Sequence, residues 1–321
     1  MKIAKKVGLA AALVLATVTS GFAQAGYPNQ MVRMVVPFGP GSATDMLARA
    51  VSDELSKKWG QQVVVENRPG LAGTTAVAKS PADGYTLMLT SNGHTVAGLI
   101  NKNIQFDPVK DFVGITTVAS IPLLVIGSKE LPAKDLKEFI SLAKAKPGGY
   151  TFASPGLGST GFLANALFNH NADINVVHVP YKSSPDCVTA IIRNDAQIYF
   201  APASVATELI RSDRVRAYAV ATQKRIPSMP NLPTLQEAGV PSFLYDSWFG
   251  IMAPAGTPAA IVEKVNKDIV AILSTPEMQE RLSKQGGVTV TTSTPKQLDD
   301  MIKSDAERFS DLFKKAGIGA K

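Results

Sequence analysis

Residues 31–68, "MVRMVVPFGPGSATDMLARAVSDELSKKWGQQVVVENR", decide the fold class. "MVRMVVPF" is a near-continuous apolar run, the pattern of a buried strand. "ATDMLARAVSDELSKKWG" repeats apolar residues at helical spacing and predicts an amphipathic helix. "QVVVENR" predicts a second strand. Strand, helix and strand in this order predict an α/β fold with parallel strands and helices on both faces.

The alternation continues outward. "AGTTAVAKS" predicts a helix and "YTLMLTS" a strand, and a second set runs from "IPLLVIGSK" through "GYTFASP", "INVVHVPY" and "AQIYFAP" to "VRAYAVAT", with helical segments between. After a proline-rich loop, "RIPSMPNLPTL", comes the strand "SWFGIMAPAG", and then two long helices. This helical tail shows no strand of its own and is expected to pack on one of the two sheets. The economical arrangement is two lobes joined near residues 116–124 and 247–254, with a ligand crevice between them.

At the start of the chain, Lys2, Lys5 and Lys6 precede the apolar run "VGLAAALVLATV". Small residues follow, with Ala23 and Ala25 in A-x-A spacing. That is the layout of a secretory signal peptide over residues 1–25. The run is shorter than the roughly 20 apolar residues that span a bilayer. A net charge of +7, with 18% charged and 45% hydrophobic residues, describes a globular protein with a substantial core. The basicity is too dispersed for a nucleic-acid surface. Cys187 is the single cysteine, which excludes an internal disulfide; it falls on the expected buried face of a helix.

Two strand–loop–helix junctions carry the chemistry: "PFGPGSATD" (37–45) and "SPGLGSTGF" (154–162). In the first, Ser42 is the expected N-cap, with the Asp45 side chain reaching back to the Ser42 N–H. Ser159 and Thr160 take the same position in the second. Both junctions offer unpaired N–H groups at a helix start, where an anion is favoured. Gly156, Gly158 and Gly161 also match the dinucleotide fingerprint G-x-G-x-x-G. That reading fails, because the next strand ends in Pro180-Tyr181-Lys182 instead of the acidic residue a ribose requires.

Catalytic patterns are thin. His94, His170 and His178 are the only histidines, and none has a second ligand at helical spacing, so a metal site is not expected. No G-x-S-x-G elbow occurs. No cofactor is expected either. A secreted α/β enzyme acting on a small organic acid is the alternative to a binding protein.

With both loops in hand, the chain resembles the Bug-type extracytoplasmic receptors of tripartite tricarboxylate transporters. The resemblance rests on "VVPFGPGSATDMLAR", "VVVENRPGLAG", "PADGYTLMLTSNGHT", "YTFASPGLGSTGFLANALF", "VVHVPYKSSP", "LPTLQEAGVP" and "SWFGIMAPAGTP". It implies a two-lobed periplasmic binding protein of type II, a Venus flytrap with a hinge of two crossing strands and no catalysis. Lobe 1 would comprise residues 26–122 and 254–321, and lobe 2 residues 123–253.

The resemblance further implies a monomer that holds a small carboxylate and delivers it to membrane permease subunits. Carried over by motif, the ligand-binding residues are Phe38, Gly39, Gly41, Ser42, Thr44 and Asp45 in the first loop. Ser154, Gly156, Ser159 and Thr160 follow in the second. Ser91, Asn92 and His94 line a neighbouring loop. Ala201 to Ala203, and Tyr245 to Trp248 with Asp246 among them, face the ligand from the second lobe and hinge. Many members carry His where this chain has Phe162, and Asp where it has Ala201. The loss of both polar groups points to an acid without an amine, with Asp246 as the one substitute partner for an ammonium group.

Overall fold

Strands buried on both faces need helices on both sides, and the chain supplies them. The computed structural model describes residues 26–157, 159–241, 243, 245, 247–284 and 287–315. The signal-peptide segment lies outside the described residues. One sheet contains β1 (Val32–Val36), β2 (Val63–Asn67), β3 (Thr86–Ser91), β4 (Phe112–Ser120), β10 (Phe249–Pro254) and β11 (Thr289–Val290), in the order β11-β4-β10-β3-β1-β2. The other contains β5 (Leu123–Gly127), β6 (Thr151–Ser154), β7 (Val177–Pro180), β8 (Ile198–Pro202) and β9 (Arg216–Val220), in the order β7-β6-β8-β5-β9.

The sheets are mixed, not purely parallel. β1 runs parallel to β2 and β3, and β6 runs parallel to β7 and β8, as the strand–helix alternation requires. β10 is antiparallel to β3 and β4, and β5 is antiparallel to β8 and β9. These strands enter or leave a sheet at a lobe crossing, so no helical crossover ties their direction to a neighbour. The first crossing is short, through Ile121 and Pro122. The second is the segment between β9 and β10. The strand Phe249–Pro254, which a division at 253/254 gives to lobe 2, pairs wholly within the first sheet.

The helices are α1 (Ala43–Trp59), α2 (Leu71–Ala78), α3 (Ala97–Ile100), α4 (Leu136–Ala145) and α5 (Thr160–Ala172). They continue as α6 (Ser184–Ile192), α7 (Ala203–Arg211), α8 (Ala259–Leu273), α9 (Pro276–Ser283) and α10 (Pro295–Lys315). Local chemistry sets the ends of α1. Ser42 caps its start, and Gly60, at φ 64°, closes it in the left-handed conformation that glycine tolerates best. Cys187 on α6 is buried, as its helix face predicts.

The tail departs from expectation in two ways. It adds β11 to the first sheet, and α10 serves both lobes. Leu298 and Ile302 pack with Val35 and Met88 of the first sheet, while Phe309 and Phe313 join the cluster that holds Leu123, Phe168 and Phe200. The helix lies close to β4 and β10 because Gly114 and Gly250 face it. A Cβ on Gly114 would meet Leu298 Cβ at 3.0 Å, and one on Gly250 would meet Leu298 Cδ2 at 3.2 Å. Leu298 is fully buried at this contact. Leu298→Ala is expected to lower unfolding stability by about 2–5 kcal/mol, the cost of a large-to-small core change. Urea denaturation measures it, and a loss near zero would mean that α10 is not anchored there.

Candidate functional site

The turn after β1 brings the lobes together. The Gly39 N–H donates to the Lys182 carbonyl at 3.0 Å, which links lobe 1 to the loop before α6. A Cβ on Gly39 would stand 2.8 Å from both Lys182 O and Ser183 Cβ. Gly41, at φ 76°, needs the left-handed conformation and faces Pro185. Both glycines therefore sit at the seam.

The cap of α1 differs in one bond from the expected box. Ser42 Oγ accepts from the Asp45 N–H at 3.1 Å, but the Asp45 carboxylate accepts from the Gly41 N–H, not from that of Ser42. The reason is competition at the Ser42 N–H, which donates to the Gly39 carbonyl. Arg49 and Asn67 also donate to Asp45. Burial would raise the Asp45 carboxyl, but hydrogen bonds from Arg49, Gly41 and Asn67 outweigh it and hold the group below its ordinary value. The charge is thus spent on the loop.

The second junction is built alike. Ser159 Oγ accepts from the Phe162 N–H at 3.2 Å and donates to the Gly156 carbonyl at 2.8 Å, so in this state its proton is committed to the loop. Ser154 Oγ lies 2.7 Å from His178 Nε2 and donates to the Gly156 carbonyl. Ser154 is fully buried, and the His178 ring packs against Phe152 and Phe162. The pair braces a turn and presents no nucleophile to a crevice.

Between the junctions lies a small cavity of about 20 Å³, room for one water-sized group. Lobe 1 supplies Phe38, Ser42, Thr44, Ser91 and Phe249; lobe 2 supplies Ser159, Thr160, Ser184, Tyr199 and Pro202. Four helices begin on this wall: α1, α5, α6 and α7. No charged side chain lines it among the described residues. Helix N-termini carry partial positive charge, and the wall adds no ionised side chain to it among the described residues.

The other expected residues take varied positions. Gly156 and His94 line a second chamber that shares Phe38. Asn92 stands behind the wall, where Tyr245 Oη lies 3.0 Å from both Asn92 Oδ1 and the Thr160 carbonyl, reaching both lobes. Ala201 and Ala203 are core residues flanking Pro202 and contribute to neither cavity wall. Trp248 turns away: its Nε1 donates to Asp305 on α10. Phe162 packs within the second lobe. Asp246 and Gly158 lie outside the described residues.

Ser184 and Tyr199 were missed. The cap pattern Ser183–Asp186, with the Ser183 hydroxyl accepting from the Asp186 N–H, could have flagged a helix start at Ser184. Nothing in "AQIYFAP" marks Tyr199, whose hydroxyl bonds Ser184.

Family membership follows from comparison with known proteins. Residues 47–318 match the model of the tripartite tricarboxylate transporter family receptor, and the chain belongs to that family. Its fold is that of a periplasmic binding protein. Periplasmic binding protein BugD is 32% identical, with a TM-score of 0.85 over 92% of this chain and 100% of its own. Rpa4515 of R. palustris, solved with adipate, matches with the same four values: 32%, 0.85, 92% and 100%. MatC of Rhodopseudomonas palustris, solved with bound malate, is 30% identical, with a TM-score of 0.83 over 89% of this chain and 99% of its own.

Two predictions follow from this geometry. Gly39→Ala is expected to hold the lobes apart. Overpacking of about 1–3 kcal/mol would weaken ligand binding by about 5- to 150-fold while leaving each lobe folded. Small-angle scattering should show an expanded particle, and an unchanged radius with unchanged affinity would refute the clash.

The second concerns pH. Burial pushes His94 and His178 down to about 4 from 6.5. A depressed histidine contributes stability above its unfolded value, lost as pH falls from about 6.5 toward about 4. Urea midpoints should therefore drop through that window, less steeply in His94→Gln and His178→Gln. Identical slopes in both variants would exclude the histidines as the cause.

Proposed function

We propose that this receptor captures a small organic acid without an amine, a dicarboxylate or an aromatic acid, in the crevice between its lobes and delivers it to membrane permease subunits. One observation carries the reading: four helix N-termini begin on a cavity wall with no charged side chain among the described residues. An ammonium group would enter that cavity without a carboxylate, and an unpaired buried charge is costly. A carboxylate would meet hydroxyls and helix N–H groups instead. Asp45 does not alter this balance, because its charge is already bonded to Gly41, Arg49 and Asn67.

The relatives solved with adipate and malate support an amine-free acid as the ligand class. The signal-peptide pattern of residues 1–25 supports a periplasmic location. No helix among the described residues is long and apolar enough to cross a membrane. The receptor acts as a monomer of two lobes, closes on its ligand and returns it chemically unchanged.

A thermal-shift panel tests the ligand class. An acid at 100 times its Kd adds about 2.7 kcal/mol, and lobes of this size gain about 2–4 °C per kcal/mol. Succinate, adipate, citrate, benzoate and terephthalate form the amine-free arm, and at least one should raise the melting temperature by several degrees. A rise with aspartate or glutamate and none with these acids would overturn the reading and assign the ammonium partner to Asp246.

A further inference from the structure

Burial changes sharply between two neighbouring residues at Gly26 and Tyr27. Gly26 is exposed, and a Cβ built on it would meet nothing within 4 Å among the described residues. Tyr27 is only 7% exposed. Its hydroxyl donates to the Gly84 carbonyl at 2.7 Å. Its ring centroid stands 5.1 Å from that of Tyr85, just before β3, and 6.0 Å from that of Trp59, at the end of α1. Asn29 is held twice by the Tyr85 hydroxyl, which accepts from the Asn29 N–H at 3.3 Å and donates to Asn29 Oδ1 at 2.8 Å.

Gly84 makes room for this clamp. It sits at φ 83°, and a Cβ there would stand 2.9 Å from Tyr27 Cε2 and 2.6 Å from Ile261 Cγ2. Residues 27–29 are therefore fixed on three sides before the chain enters β1 at Val32.

The signal-peptide pattern ends in Ala23 and Ala25, which puts the cut between Ala25 and Gly26. Hydrolysis there consumes one water and leaves a carboxylate on Ala25 and an ammonium group on Gly26. A peptidase must draw the chain on both sides of the cut into its cleft, and it acts on the fraction of molecules in which that chain is open. In the folded chain the second residue past the cut is buried and hydrogen-bonded.

We propose that the folded receptor masks its own processing site. Tyr27 must leave its clamp before a signal peptidase can reach the Ala25–Gly26 bond, so processing precedes the docking of Tyr27. A precursor that folds first is cut slowly. The inference rests on the signal-peptide reading and adds an order of events to it.

The test incubates full-length precursor, residues 1–321, with a purified bacterial signal peptidase in detergent micelles. A peptide of residues 1–35 carries the same bond without the clamp. Mass spectrometry should show the peptide cut after Ala25 and the folded precursor cut at least about 100-fold more slowly. Gly84→Ala and Tyr85→Ala leave the cut sequence intact and should each speed processing of the precursor by at least about tenfold. Leu298→Ala, which loosens the core outside the clamp, should change it by less than about threefold. Melting curves check that each variant folds, and the wild-type comparison carries the test where one does not. Equal rates for precursor and peptide, or no gain in either clamp variant, would overturn the masking. A rise as large in Leu298→Ala would assign the protection to the whole fold and not to Tyr27. An uncut peptide would remove the signal-peptide reading and this inference with it, leaving the ligand class to its own test.

Discussion

One hydrogen bond, from the Gly39 N–H to the Lys182 carbonyl, sets how closely the two lobes meet. No side chain fits at position 39 while that bond is made, because a Cβ would lie 2.8 Å from the acceptor and from Ser183 Cβ. Everything at the crevice depends on this approach. It brings the start of α1 opposite the starts of α5 and α6, so that backbone donors from both lobes converge on one cavity. Main-chain geometry thus sets the approach of the lobes, and a methyl group added at position 39 would clash with it.

The electrostatics follow the same economy. Each junction lies against a titratable group whose charge is kept from the cavity. The Asp45 carboxylate is bonded to Gly41, Arg49 and Asn67, and His178 is kept neutral against Phe152 and Phe162. What faces the cavity is then the partial positive charge of helix ends, which attracts an anion without the desolvation cost of a buried lysine or arginine. The walls Phe38, Tyr199 and Phe249 give this cavity its shape.

Two elements span the seam between the lobes. Tyr245 reaches Asn92 on one side and Thr160 on the other with a single hydroxyl. Helix α10 packs Leu298 on the first sheet and Phe309 and Phe313 in the second lobe's cluster.

The sequence by itself determined whatever depends on near neighbours in the chain. The strand–helix periodicity, the caps at Ser42 and Ser159, and the burial of Cys187 all follow from contacts within a few residues. So does the placing of helix starts at the two junctions, where backbone N–H groups lack intrahelical partners. Tertiary structure alone decided which strands pair and which side chains meet. β10 reads the same whether it belongs to lobe 1 or lobe 2, because an apolar run encodes burial but not a partner. Tyr199 and Ser184 reach the cavity, while Trp248 turns toward Asp305 and Phe162 into the second lobe. Such directions depend on neighbours distant in sequence, and no local pattern carries them.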